Sequence, residues 1–304
     1  MTGYKVAVLG PRGTFSDMAY MEYVNNHKDN NYEPEFYSTI DEVFSAIKPG
    51  NCYMGIVPVE NTLDGYVQRT LDLLLEKELQ VIDENLVKVQ FSLMANTATK
   101  EDIDKLYVQF KANGQCREFI NSLKKVKIIS TESNMESFYL LGEEKNAAAI
   151  VPAHIAKEAE GKYVIENVTD AGNNHTRFLV LRINSVDNHR VEEFKQQYII
   201  DDSEQKVRIP VYIMPSTERP GILYEILKSF SDNNINLISI MSRPTKQELG
   251  TYNFYMEIDG SFNQLDIILA TLGEINKTND IKILGIYREN EKVKMNYKGE
   301  NYDR

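Results

Sequence analysis

The chain has 304 residues, 42% of them hydrophobic, enough for two or three domains with cores of their own. A formal net charge of −11 excludes a nucleic-acid binder, since no basic patch gathers to neutralise phosphates. No apolar run reaches about 18 residues, so no membrane span is expected.

In chain order, KVAVL at 5–9 reads as a buried strand, entered without the basic and apolar regions of a signal peptide. Residues 16–26 read as a helix capped by Ser16 or Thr14, 41–47 as a short helix, 53–57 as a second strand and 66–78 as an amphipathic helix. Strand patterns follow at 86–95, 105–110, 126–130 and 147–151, separated by helices around 115–124, 134–143 and 153–159. Further strands are expected at 163–168 and 177–183. This alternation predicts an α/β class with two small lobes. Residues 184–205 are polar and charged and read as a linker. A new unit then runs strand 206–214, helix 219–231, strands 235–243 and 250–258, helix 263–274 and strand 281–288. That order is the ferredoxin-like βαββαβ split unit. The tail 289–304 has little apolar content. Cys52 and Cys116 form no CxxC pair and read as reduced buried thiols of a cytoplasmic protein. His27, His154, His175 and His189 do not cluster at ligand spacing, so neither a metal nor a cofactor is expected.

Three stretches carry candidate chemistry. The first is Gly10-Pro11-Arg12-Gly13-Thr14-Phe15-Ser16, a glycine-rich turn from a strand into a helix N-terminus. Its backbone N–H groups and the Thr14 and Ser16 hydroxyls suit an anion. It matches neither GxxxxGK[ST] nor GxGxxG, so no nucleotide is implied, and a tight capped turn reads equally well. The second, Pro58 to Gly65, sets Glu60, Asn61 and Thr62 in a row just past the strand ending at Val57, where open α/β sheets bind ligands. A polar turn capping the next helix is the alternative. The third is Asn173-Asn174-His175-Thr176-Arg177-Phe178, ahead of the strand 177–183. It meets the other two only if that strand runs antiparallel to its neighbours, which a chain returning from a second lobe permits. Arg177 also reads as a salt-bridged arginine and His175 as a solvated loop residue. Ser133, after the strand 126–130, reads as a helix cap or a ligand contact, and Cys116 as a core thiol.

GPRGTFSDMA, VPVENTLDGYVQRTLDLL and NNHTRFLVL, followed by a βαββαβ unit, together resemble the prephenate dehydratase family across about residues 3–288. The last unit resembles that family's ACT regulatory domain, with Pro220-Gly221-Ile222-Leu223 at its glycine turn and Ser242-Arg243-Pro244 at its ESRP-type motif. The resemblance implies a catalytic domain like a type II periplasmic binding protein over 1–183, with lobe one at 1–85 and 170–183 and lobe two at 86–169. The ACT domain would occupy 206–288. It implies conversion of prephenate to phenylpyruvate, water and carbon dioxide in phenylalanine synthesis, with feedback by L-phenylalanine. Thr176 falls on the family's essential threonine, Glu60 and Asn61 on its ENS/ENT motif and Gln115 on its QC motif.

Thr14, Ser16, Thr62, Gly65, Gln115, Ser133, Arg177 and Phe178 are therefore expected at the substrate, with Thr176, Glu60 and Asn61 at the chemistry. Gly221, Ile222, Leu223, Asn236, Ser242, Arg243 and Pro244 are expected at the effector, on a homodimer or homotetramer joined through ACT domains. The chain departs from the family's SHPQALAQC at 108–116 and carries Met241 where the ESRP motif has glutamate. Arogenate dehydration and a non-catalytic amino-acid sensor remain rival readings. A fused chorismate mutase is not expected, for want of a helical stretch of about 90 residues.

Overall fold

The structure is a computed structural model and describes residues 3–27, 31–123, 125–142, 144–157, 162–184 and 205–290. All but the ends of the expected linker 184–205 and tail 289–304 lies outside the described residues.

The first lobe is built from β1 (Tyr4–Leu9), α1 (Phe15–Asn26), β2 (Tyr32–Tyr37), α2 (Ile40–Ala46), β3 (Met54–Asn61), β4 (Gly65–Tyr66), α3 (Gln68–Glu76) and β5 (Leu79–Lys88). The second contains β6 (Phe91–Ala95), β7 (Lys105–Gln109), α4 (Phe110–Gln115), α5 (Arg117–Ser122), β8 (Lys127–Thr131), α6 (Asn134–Leu141), β9 (Ala147–Pro152), α7 (Ala153–Lys157) and β10 (Tyr163–Ile165). The chain then returns to the first lobe as β11 (His175–Ile183). Sheet order is β2-β1-β3-β11-β5 in lobe one, with β4 beside β3, and β10-β6-β9-β7-β8 in lobe two. β1 lies parallel to β2 and β3, whereas β11 runs antiparallel to β3 and β5. This reversal brings the C-terminal ends of β1 and β3 and the N-terminal end of β11 to one edge.

Several elements differ from the sequence pattern, among them these three. The run 86–95 is two strands, because the chain changes lobe at Val89 and Gln90; there Val89 N donates to Asn174 O at 2.8 Å and Phe91 N to Thr169 Oγ1 at 2.8 Å. β2 carries Pro34 and few apolar residues, which masked it; it sits at the sheet edge, where a missing N–H is tolerated. β3 continues through Pro58 to Asn61, because β11 and β4 pair with that polar end. Glu60 and Asn61 are thus strand residues rather than loop residues beyond Val57.

The C-terminal unit is β12 (Lys206–Pro215), α8 (Ile222–Asp232), β13 (Asn236–Pro244), β14 (Tyr252–Ser261), α9 (Leu265–Ile275), β15 (Asn279–Ile283) and β16 (Tyr287–Arg288). Its sheet order is β13-β14-β12-β15, with β16 beside β12. Period-two alternation sends Val207, Ile209, Val211 and Ile213 into one core with α8 and α9. The other face sends Tyr212, Tyr255 and Tyr287 into the core that holds Leu71 and Leu74 of α3. Tyr212 Oη donates to Leu71 O at 2.8 Å, and Lys282 Nζ donates to Leu75 O (3.0 Å) and Lys77 O (2.7 Å) at the end of α3. Val81 N of β5 donates to Leu284 O at 2.7 Å. A Cβ on Gly285 would stand 2.0 Å from Val81 O, so this backbone-to-backbone approach requires glycine.

Candidate active site

The crevice edge starts from Asn61. Its Oδ1 accepts from Leu63 N (3.0 Å) and Asp64 N (3.1 Å), the turn of the β3–β4 hairpin. Two backbone donors on one atom fix which end of the amide is oxygen. Nδ2 therefore points across the sheet and donates to Thr176 Oγ1 (2.9 Å), Asn174 Oδ1 (2.9 Å) and His175 O (3.1 Å). An amide nitrogen only donates, so Thr176 Oγ1 is the acceptor of that bond and its own proton is available to another oxygen. Asn174, fully buried, passes the network on: its Nδ2 donates to Gln115 Oε1 at 3.0 Å, joining lobe one to the end of α4 in lobe two. Thr62 is exposed and braces the same edge by exchanging hydrogen bonds with the His175 backbone.

The Gly10–Ser16 turn is the lip of the crevice against lobe two. Gly13 has φ +88, and a Cβ there would lie 2.6 Å from Met135 Sδ of α6 and 3.1 Å from Ile155 Cδ1 of α7. His154 Nε2 is 3.0 Å from Gly13 O, and the Phe15 ring meets Phe91 edge-on at 5.4 Å. Thr14 caps α1 through its backbone, its hydroxyl donating to Leu9 O at 3.4 Å, and Ser16 is buried in the first turn. Arg12 lies over the Phe36 ring, 5.8 Å from its centroid. Gly13→Ala is expected to cost about 1–2 kcal/mol through the left-handed backbone. It should also raise KM more than it lowers kcat, because the new methyl separates the lobes; steady-state kinetics with thermal unfolding checks this.

Beside Gln115 a cleft of about 690 Å³ opens between the hairpin and α4–α5, lined by Leu63, Asp64, Phe110, Lys111 and Arg117 among others. Lys111 Nζ pairs with Asp64 Oδ2 at 3.0 Å across the lobes. These two cations escaped the sequence reading, although they are the basic residues flanking Gln115-Cys116. Cys116 is fully buried, and burial pushes its thiol up to about 12, so it is inert core. Gln115 ends α4 rather than opening a longer helix.

The other expected site residues hold these positions in the fold. Arg177 and Glu60 sit on the face of the sheet opposite Thr176 and Asn61, because neighbouring strand residues alternate. The Arg177 guanidinium, 2% exposed, meets Glu60 Oε2 at 3.1 Å, Glu84 Oε2 at 3.2 Å, and Glu257 at 2.6 and 2.9 Å. It braces the lobe against the C-terminal unit and does not line the crevice. Phe178 is 1% exposed in the core with Val8, Tyr20 and Ile56, and Gly65 (φ +74) shapes the hairpin turn. Ser133 caps α6, accepting from Glu136 N at 3.0 Å. Arg243 lies against Asp72 of α3, with Nε donating to Oδ1 at 2.9 Å. Gly221 caps α8 at φ +89, with Ile222 buried and Leu223 half-buried beside the α8–α9 core. Ser242 pairs with Phe254 and Pro244 with Tyr252 across β14, and Asn236 Nδ2 donates to Asp259 Oδ2 at 3.4 Å. Sequence reasoning missed Glu84, Arg208 and Glu257, all at most 1% exposed. For Arg208 and Glu257 the signal was a charge at an alternate position inside an apolar strand, whereas Glu84 lies in the polar run Asp83-Glu84-Asn85 and gave none.

Two α/β lobes sharing one crevice of hydroxyl, amide and backbone groups define the class, a two-lobed α/β enzyme. Residues 6–186 match the family model for prephenate dehydratase, and the chain belongs to the prephenate dehydratase family. It is 30% identical over 280 residues to the prephenate dehydratase of Methanocaldococcus jannaschii, spanning 91% of this chain and 95% of that one. The prephenate dehydratase structure from Staphylococcus aureus superposes with a TM-score of 0.74 at 26% identity, covering 93% of this chain and 99% of that one. The enzyme from Arthrobacter aurescens, solved in complex with L-Phe, gives 0.77 at 27% identity, covering 95% of this chain and 91% of that one.

Proposed function

We infer that the chain is a prephenate dehydratase, forming phenylpyruvate, water and carbon dioxide for phenylalanine synthesis. The observation that carries the chemistry is the direction of the Asn61–Thr176 hydrogen bond. Prephenate carries two carboxylates and a ring hydroxyl. Cleavage of the bond to the ring carboxylate releases carbon dioxide and sends its electron pair into the ring, which becomes aromatic as the hydroxyl departs. A threonine is too weak an acid to hand over its proton freely. With its oxygen already accepting from Asn61, Thr176 instead donates a hydrogen bond to the leaving oxygen as charge develops there, and that oxygen takes a proton from solvent and leaves as water. Within the Gly10–Ser16 turn, Gly10 N already donates to Tyr37 O at 2.8 Å and Gly13 N to Asp17 Oδ2 at 2.8 Å, so the N–H groups of Arg12, Thr14, Phe15 and Ser16, with Lys111 and Arg117, are assigned to the substrate carboxylates. Glu60 is assigned to holding Arg177 rather than to the reacting atoms.

The C-terminal βαββαβ unit is read as an ACT domain that binds L-phenylalanine. β12 and β13 both run antiparallel to β14, so within one chain the Gly221 turn and Asn236 lie at opposite ends of the sheet. An effector touching both would need two copies side by side along β13, which favours a dimer or a tetramer of dimers. The catalytic unit, whose chain crosses twice between lobes, is read as akin to a type II periplasmic binding protein.

Purified protein incubated with prephenate should yield phenylpyruvate, measured by its absorbance in alkali. Saturating L-phenylalanine should lower that rate and change the sedimentation coefficient. No product from prephenate, with turnover of arogenate instead, would reassign the substrate; an unchanged rate and sedimentation with L-phenylalanine would remove the regulatory reading.

A further inference from the structure

Successive rungs of the β3–β11 ladder carry different partners. Thr176 faces Asn61 on one rung, and Arg177 faces Glu60 on the next. The register then shifts between Arg177 and Phe178, so these two rungs are not held in line by the regular pairing that follows. On its other edge β11 pairs with β5 in unbroken register from His175 to Val180, and on the β3 side these rungs gain a side-chain clamp on Arg177. Its strongest arm comes from outside the catalytic lobes: Arg177 Nη2 donates to Glu257 Oε1 at 2.6 Å and Nη1 to Oε2 at 2.9 Å, a two-pronged pair with neither side chain more than 2% exposed. Tyr255 Oη donates to the same carboxylate, and Tyr66 Oη lies 3.5 Å from it.

We propose that Glu257, a residue of the C-terminal unit, is a positioning residue for the dehydration: by clamping the Arg177 guanidinium it sets the rung on which Thr176 presents its hydroxyl. The proposal rests on the dehydratase reading. Neither Glu257 nor Arg177 touches substrate. A hydrogen bond to a leaving oxygen works over a narrow range of distance and angle, and a displacement of about 1 Å at such a contact costs on the order of 100-fold in rate. Substrate carboxylates are held by other groups, so the loss falls on turnover rather than on binding.

The test uses the full chain. Glu257→Gln keeps the volume but removes the counter-charge. It should lower kcat for phenylpyruvate formation by about tenfold or more, with KM changed less than about twofold. Glu257→Asp keeps the charge but cannot reach both guanidinium nitrogens; its kcat should fall between the parent and Glu257→Gln, and it answers the question alone if the glutamine variant does not fold. Lys282→Met breaks a different contact of the C-terminal unit, with the far end of α3. It should lower the unfolding temperature and leave kcat unchanged. A Glu257→Gln or Glu257→Asp enzyme with parental kcat overturns the proposal. So does an equal fall in kcat for Lys282→Met, which would trace the effect to loosened docking. A parent that makes no phenylpyruvate at all overturns the dehydratase reading itself, and the proposal with it.

Discussion

Replacing Thr176 by valine is expected to lower kcat by about 100- to 1000-fold, the range for losing one positioned proton or hydrogen-bond donor. Valine has the shape of threonine and keeps the β-branched side chain that suits β11, so the fold should be retained. What disappears is the hydroxyl that accepts from Asn61 Nδ2 and whose proton is assigned to the leaving oxygen. Thr176→Ser should keep a substantial part of the rate. Asn61→Asp provides an isosteric counterpart. A carboxylate in place of the amide cannot donate, so the Thr176 hydroxyl would turn to donate to residue 61 and lose its proton for the leaving oxygen. Its kcat should fall at least as far as that of Thr176→Val, since it also loses the bonds to Asn174 Oδ1 and His175 O, and the double variant should be less than additive because both changes remove the Asn61–Thr176 bond. Parental turnover in Thr176→Val would show that the hydroxyl is not the working group.

Replacing Arg177 by leucine should reduce stability by about 3–5 kcal/mol, because it leaves buried carboxylates without their counter-ion. Glu84 and Glu257 are at most 1% exposed. Burial alone raises the Glu257 carboxyl, yet Arg177, by charge and by hydrogen bonds, helped by Tyr255, holds it below its usual value. Burial keeps Glu84 above its usual value despite Arg177 and Arg208. The sign for Glu257 follows: a depressed carboxyl contributes stability that is present above the unfolded carboxyl value and lost as pH falls through the folded one. In Arg177→Leu that contribution is gone and Glu257 shifts upward instead. Urea unfolding should therefore show the largest gap between parent and variant near pH 7, narrowing as pH falls through the carboxylate range. A constant gap across that range would mean that the loss is packing rather than charge.

The layout was legible where short-range pattern and topology coincide. KVAVL, YMGIV and RFLVL read as buried strands because nothing polar interrupts them. The antiparallel return of β11 followed from asking three motifs to share one edge. The direction of individual side chains was less legible. Glu60-Asn61 and Thr176-Arg177 look like contiguous polar clusters in sequence, but extended backbone divides each pair between two faces, and only the knowledge that β3 continues past Pro58 reveals this. Arg177 was weighed as a substrate ligand because its partners lie 80 and 93 residues away, in strands whose pairing no local pattern encodes. Asn174, flanked by polar residues, carries no local sign of burial and is the fully buried relay between Asn61 and Gln115. In the C-terminal unit, 206–214 and 250–258 were legible as strands, but no local pattern reveals that their second face is sealed against α3 and β5.

The contact between Gly285 and Val81 O bears on how any signal leaves the C-terminal unit. Main chain touches main chain there, with tyrosines 212, 255 and 287 closing the surrounding floor. Separating the two units there would expose three buried tyrosine rings and take Glu257 away from the Arg177 guanidinium. Val81 belongs to β5, the strand that pairs with β11, so this backbone contact lies one strand from the strand that carries Thr176.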